Sequence, residues 1–344
     1  MKKSCFLLLM TILLVACQQG RQPDKEDGKP VITVTIEPLR YFTEAIAGDR
    51  FSVVSMVPKG ASPETYDPTP QQLIDLVHSK AYFRIGYIGF EQTWAEKLAE
   101  NAPHLQFYNL SEGVELIGGH HHHHHHHHSP SSLSSLSPDP SPVGRGEVTD
   151  HSSADEESTL APPPYGGGGR GGEATVEPHI WNSAANAQII ARNILHALIK
   201  MDEAGKMDYI ARFKQLSVRI ARTDSLIRQK LSAPDADRAF MIYHPALSYF
   251  ARDYGLHQIS IEADGKEPSP AHLKELINAC KQEKVRIVFV QPEFDRRNAE
   301  LIARQTGAQV VGINPLAYDW EEEMMKVAGS LSSLSSPVGR GGQR

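Results

Sequence analysis

Imidazole nitrogens and carboxylate oxygens are the side-chain donors that hold first-row divalent cations. This chain offers them in three short segments stiffened by proline. Gly60-Ala-Ser-Pro-Glu64-Thr-Tyr-Asp67-Pro-Thr-Pro70 carries two carboxylates among three prolines. Glu177-Pro-His179-Ile-Trp181-Asn182 fixes the backbone just before a histidine and sets an aromatic ring two residues after it. Phe240-Met-Ile-Tyr-His244-Pro ends an apolar run on a histidine, and an aromatic-striped helix up to Tyr254-Gly255 follows. Taken singly, the first segment also fits a plain turn and a lone histidine also fits a satisfied core position. A fourth feature is a run of nine imidazoles: His120, His121, His122, His123, His124, His125, His126, His127 and His128. On a flexible backbone these bind zinc, nickel or copper weakly and exchangeably, and lose them as the rings protonate below about pH 6.5. An internal affinity tag is the rival explanation of that run.

The elements around these segments alternate strand and helix. Strands are expected at 31–36, 51–56, 81–85 and 105–108, with helices at 38–47, 71–78 and 91–100 between them. After the insert, 183–231 reads as helical with a break near Gly205, its apolar positions Ile189, Ile190, Ile194, Leu195, Leu198 and Ile199 recurring near period 3.6. His196 within it is expected to be packed or snorkelling, not a ligand. Beyond Pro234 the alternation resumes, with strands at 239–243, 257–261, 286–290 and 309–313 and helices at 245–254, 270–282, 296–306 and from 321. Strands separated by helices imply βαβ units and parallel sheets. The expected fold is α/β: two lobes, each a parallel sheet flanked by helices, joined by one long backbone helix. The ligand segments then fall at the carboxyl ends of strands, where open parallel sheets bind ligands.

The 344 residues carry 35 basic and 41 acidic side chains, a net charge of −6. That balance argues against nucleic acid as a partner. Lys2 and Lys3 precede an 11-residue apolar run, Phe6–Ala16, too short for the roughly 20 residues of a membrane span, so 1–16 reads as a signal peptide. The run closes on Leu14-Val15-Ala16-Cys17, which resembles a bacterial lipobox and implies lipidation of Cys17, with 17–30 as a polar tether. Of the three cysteines only Cys280 would then remain, as a small core residue. The assignment continues as an N-terminal lobe 31–117, a low-complexity insert 118–172 and a ligand segment 173–182. A linking helix 183–232, a C-terminal lobe 233–329 and a tail 330–344 complete it. Ser132-Leu-Ser-Ser-Leu-Ser137 of the insert recurs at Ser330–Ser335, and both copies are expected to be dispensable for the fold.

In order and spacing these motifs resemble the metal-binding solute-binding proteins of bacterial ABC importers, the zinc and manganese branch (ZnuA/TroA type, cluster A-I). That family's Asp-Pro-His-hydrophobic-Trp appears as Glu177-Pro-His179-Ile-Trp181, and its histidine before an aromatic helix and Tyr-Gly appears as His244. Its Pro-His-x-Tyr-Glu-Pro-x-Pro loop reads Pro63-Glu64-Thr-Tyr66-Asp67-Pro-Thr-Pro70 here, and its late Asp-Pro-Leu reads Asn314-Pro315-Leu316. His120–His128 sits where the zinc members carry a His-rich loop. Two departures follow: Glu64 replaces the usual first histidine, and Asn314 the usual late aspartate. The resemblance implies a ligand set of His179, His244 and Glu64, completed by Asn314, Asp319 or water. It implies Zn²⁺ as cargo, with Mn²⁺ or Fe²⁺ as alternatives, and an ABC permease as partner. It also implies a monomer anchored by its N-terminal lipid on the periplasmic or cell-surface side of a bacterial membrane, without catalysis. Two other functions compete. One is a surface metal buffer or adhesin using the histidine run; the other is a zinc hydrolase, for which no His-Glu-x-x-His pattern occurs.

Overall fold

The computed structural model of the protein describes residues 28–118, 176–263 and 265–332. The expected leader, Cys17, the histidine run His120–His128 and the tail beyond residue 332 lie outside these residues.

Short β-branched and aromatic stretches form two four-stranded sheets. The first contains β1 (Val31–Val34), β2 (Ser52–Ser55), β3 (Ala81–Arg84) and β4 (Gln106–Asn109) in the order β2-β1-β3-β4. The second contains β5 (Ala239–Ile242), β6 (His257–Ser260), β7 (Ile287–Val290) and β8 (Gln309–Gly312) in the order β6-β5-β7-β8. Every pairing is parallel. Strands β3, β5 and β7 are buried along their whole length, as strands covered on both faces must be. The winding direction reverses between β1 and β3 and again between β5 and β7. Each sheet therefore opens a crevice at its carboxyl edge there.

The covering helices are α1 (Glu37–Ala47), α2 (Pro70–Val77), α3 (Gly89–Asn101), α4 (Ala184–Met201), α5 (Lys206–Leu231), α6 (Ser248–Tyr254), α7 (Pro270–Gln282), α8 (Arg297–Thr306) and α9 (Trp320–Leu331). Their starts are written locally. Thr69 and Gln72 form a reciprocal capping box on α2, and Ser183 and Ser269 accept from the third residue of α4 and α7. The break expected near Gly205 is a turn of 3₁₀ helix at Glu203–Gly205. Arg50 donates to Asp202 at 2.6 Å beside it. The segment 183–232 is thus two helices packed on each other and not one long helix. The 26 residues of α5 span about 39 Å and bury Tyr209, Leu216, Ile220, Thr223, Ile227 and Leu231 against α1, α4 and α9.

His196 is exposed on α4, so of its two expected states the packed one does not hold. Two further expectations need correction. The helix expected from Pro245 begins at Ser248, because Ala246 N–H donates to His244 O at 2.7 Å and makes a turn instead. The last helix is not cut off by the serine-rich repeat. It takes in Ser330 and Leu331, and Leu331 is fully buried while its carbonyl accepts from Asp237 N–H at 2.8 Å.

One apolar core runs through both lobes. Phe42 of α1 packs on Trp320 of α9 with ring centroids 5.4 Å apart. Trp320 Nε1 donates to Trp181 O at 2.7 Å, and Trp181 Nε1 donates to Pro315 O at 2.8 Å. Cys280 is a buried free thiol in a second, smaller core under β5 and β7. Replacing Leu331 by Ala removes a core side chain and is expected to cost about 2–5 kcal/mol. Urea unfolding of the metal-free protein checks this, and an unchanged midpoint would show that the repeat's first residues are structurally idle.

Candidate metal centre

His244 stands at the end of β5, one residue past Tyr243, whose N–H closes the ladder onto Phe289 O. Its backbone is held on both sides by Gln291: His244 N–H donates to Gln291 Oε1 at 3.3 Å, and Gln291 Nε2 donates to His244 O at 2.6 Å. Phe294 stacks on the ring, centroids 5.4 Å apart and planes at 20°. The Nδ1–H is accepted by Glu262 Oε1 at 2.8 Å. Glu262 is itself buried at the end of β6, its N–H bonded to Tyr243 O.

His179 is brought from a different part of the chain. Pro178 and the 3₁₀ turn Ile180–Asn182 shape its approach, and Trp181 packs on its ring. Glu177 caps it locally, accepting from both the His179 N–H and the ring Nδ1. Ser248 and Tyr249 of α6 hold Glu177 in turn, through its carboxylate and its carbonyl. Burial opposes protonation of His179, but Glu177, with Glu64 and Glu262, outweighs it and the pKa rises. Burial likewise works against ionised Glu177, and the His179 ring and N–H overcome this, holding it below the usual carboxylate range.

With both Nδ1–H groups committed to carboxylates, both Nε2 atoms present lone pairs, and they face each other at 3.1 Å. Two such lone pairs repel unless a proton or a cation lies between them. An imidazole whose other nitrogen donates to a carboxylate is the usual form of a metal-ligating histidine. Glu64 reaches the same cavity from the loop after β2. Its Oε2 accepts from Gly89 N–H at 3.0 Å, and Pro63 O accepts from Phe90 N–H at 3.1 Å. The loop thus caps the N-terminus of α3. Gly89 is needed for this approach, since a Cβ there would lie 2.6 Å from Glu64 O. Behind it Glu91, fully buried, accepts from Ile85 N–H at 2.9 Å, from Gly86 N–H and from the Thr35 hydroxyl, which fixes the turn leading into α3.

The cavity measures about 20 Å³, room for a single ion or water. The structure brings His179, His244 and Glu64 to its wall and leaves Asn314 and Asp319 on a neighbouring cavity of about 210 Å³ that shares only Leu316 with it. Asn314 is turned away by its own backbone: its Oδ1 accepts from Leu316 N–H at 3.1 Å, and its N–H donates to Glu323 at 2.6 Å. Among the described residues no three His, Cys, Asp or Glu side chains meet closely enough to enclose an ion by themselves. The two imidazoles meet and the carboxylates stand back. Sequence reasoning assigned no role to Glu177 and missed Glu262, Gln291 and Glu293. Glu293 lines the imidazole cavity from the loop after β7, and burial pushes its carboxyl up, partly offset by its own N–H and His244. Its signal was available, since it follows a fully buried strand at the same sheet edge as His244.

Residues 32–329 match the family model described as "Zinc-uptake complex component A periplasmic". The chain is 26% identical to the high-affinity zinc uptake system protein ZnuA of Bacillus subtilis (strain 168), over 96% of this chain and 92% of that one. It is 24% identical to the manganese ABC transporter substrate-binding lipoprotein PsaA of Streptococcus anginosus, over 88% and 85%. A crystal structure of ZnuA superposes with a TM-score of 0.70 at 30% identity, covering 88% of this chain and 98% of that one.

Glu262→Gln keeps the shape at His244 but weakens the acceptor on Nδ1. It is expected to lower divalent-cation affinity about 10–100-fold, with circular dichroism unchanged. Calorimetry reads the outcome, and unaltered affinity would show that Glu262 does not tune the ring.

Proposed function

The chain belongs to the ZnuA family of periplasmic metal-binding components of ABC importers, and from that premise we propose that it captures one Zn²⁺ ion between His179 and His244 and hands it to its permease. The observation that carries this reading is the pair of Nε2 atoms 3.1 Å apart, each with its Nδ1 on a carboxylate. Two imidazoles supply nitrogen donors that zinc binds at about 2.0–2.1 Å, and the Glu64 carboxylate supplies oxygen. Asn314, Asp319 or water would complete the shell only after the loop around Pro315 rearranges. Carboxylate is the harder ligand, so Mn²⁺ and Fe²⁺ compete for the same set.

The relatives named above are transport proteins, and binding with release needs no bond to be broken in the cargo. We therefore read the chain as a receptor and not a hydrolase. Lipidation at Cys17 would hold it as a monomer at the outer face of the membrane that carries the permease. No helix among the described residues is long and apolar enough to cross a bilayer. The histidine run His120–His128 would bind further metal weakly and exchangeably. Deleting residues 118–172 separates this receptor from a metal buffer or adhesin, because the receptor keeps its tight site without the insert.

Calorimetry on the chain without its leader is expected to find one tight zinc site, abolished in the double variant His179→Ala with His244→Ala. Tight binding that survives both substitutions would sink the reading. Protons compete with metal for Nε2. The raised pKa of His179 means its proton is displaced less readily than that of a free imidazole. Affinity should therefore begin to fall above about pH 6.5 and drop steeply below it, a trend that titrations between pH 8 and pH 5.5 would reveal.

A further inference from the structure

The loop after β7, Gln291-Pro-Glu293-Phe294, is given over to His244. Gln291 brackets that residue's backbone and Phe294 stacks on its ring. Glu293 lies between these two anchors and lines the cavity shared by His179, His244 and Glu64. Its Oε1 is buried and lacks a hydrogen-bond partner, and so does Oε1 of Glu64. Buried carboxylate oxygens without partners are unfavourable for anions on their own and favourable around a cation. Both residues line the same cavity as His179 and His244. Asn314 does not offer an equivalent oxygen, because Leu316 N–H occupies its Oδ1.

We propose that Glu293 is a direct ligand of the captured cation, completing a shell of two imidazoles and two carboxylates, and that it sets the balance between zinc and manganese. The inference rests on the receptor reading above and names a ligand which that reading leaves open. The charge supports it: within the shell two carboxylates and two neutral imidazoles match a divalent cation, and Glu177 and Glu262 add negative charge behind the rings, which together lower the cost of burying the ion. The second carboxylate also adds a hard oxygen donor, which matters more to Mn²⁺ than to Zn²⁺, since zinc is held well by nitrogen.

The test uses the full chain and its Glu293→Gln and Glu293→Ala variants, with Zn²⁺ and Mn²⁺ each titrated calorimetrically against a competing chelator. Both variants should weaken Mn²⁺ binding by about tenfold or more and Zn²⁺ binding by less, while the metal-free variants melt no lower than the unaltered chain, since they lose a buried carboxylate oxygen without a partner. X-ray absorption of the zinc-loaded Glu293→Gln protein should show a changed light-atom shell. Wild-type affinities and an unchanged Zn:Mn ratio, with binding still lost in the double histidine variant, would overturn the proposal and leave the receptor reading standing. Tight binding in the double histidine variant would instead remove that reading. Should the variants fail to fold, a metal-loaded crystal structure of the unaltered chain decides. A Glu293 oxygen within about 2.0–2.2 Å of the ion supports the proposal, and one well outside that distance ends it.

Discussion

Two imidazole nitrogens that face each other at 3.1 Å, both with their far nitrogens bonded to carboxylates, impose a condition on everything around them. The rings come from segments 65 residues apart, and neither tolerates rotation, because a flipped ring would forfeit a buried hydrogen bond. The neighbourhood answers with redundancy. Glu177 is held by Ser248 and Tyr249, Glu262 by the end of β6, and the His244 backbone by Gln291 on both sides. The orientation of both imidazoles is thus fixed by the protein itself, which on the proposed reading reduces the ordering that binding must impose. The raised pKa of His179 is the electrostatic side of the same arrangement, since the carboxylates that orient the ring also favour positive charge upon it.

Both parallel sheets were legible in the sequence because fully buried strands and capped helices announce themselves locally. His179 and His244 were legible as well, one from a proline-fixed segment and the other from its place at a strand end. What stayed hidden depends on contacts between distant residues. Glu262 and Gln291 act on His244 from just beyond β6 and β7, and no spacing in the chain links them. Asn314 was placed by analogy with the aspartate it replaces, yet an amide so close to Leu316 N–H bonds its own turn. Leu331 misled for another reason. Its composition matches a repeat elsewhere in the chain, but burial is decided by the helix it extends, and α9 needs one more apolar side chain against the core.

The core common to both lobes limits how this protein can move. Trp181 and Trp320 each donate to a backbone carbonyl across the junction, and both rings are fully buried. Polar contacts reinforce that side. Glu321 of α9 accepts from Tyr41 of α1 and from Arg219 of α5, and Tyr318 donates to Glu44. Burial and the Glu321 contact push the Tyr41 hydroxyl up to about 12, so it stays a donor at any physiological pH. Opening the lobes like a hinge would expose indole surface and break this set together.

Motion is cheaper where fewer bonds resist it. Glu64 is tied to its surroundings by the Gly89 N–H and, through Pro63, by the Phe90 N–H, both at the first turn of α3. That helix end is itself steadied by Glu91, which takes the amides of Ile85 and Gly86. A small shift of the 60–70 loop can therefore withdraw one carboxylate from the cavity while both imidazoles stay in place. Withdrawing an anion weakens the hold on a divalent cation far more than the displacement suggests, because the site is buried and poorly screened. The same loop lies against the second, larger cavity, where Lys59 and Gly60 face Asp319 and Asn314. On the proposed reading, displacement of this loop would withdraw Glu64 and admit solvent from the same side, a route by which a rigid two-lobe body releases its cargo.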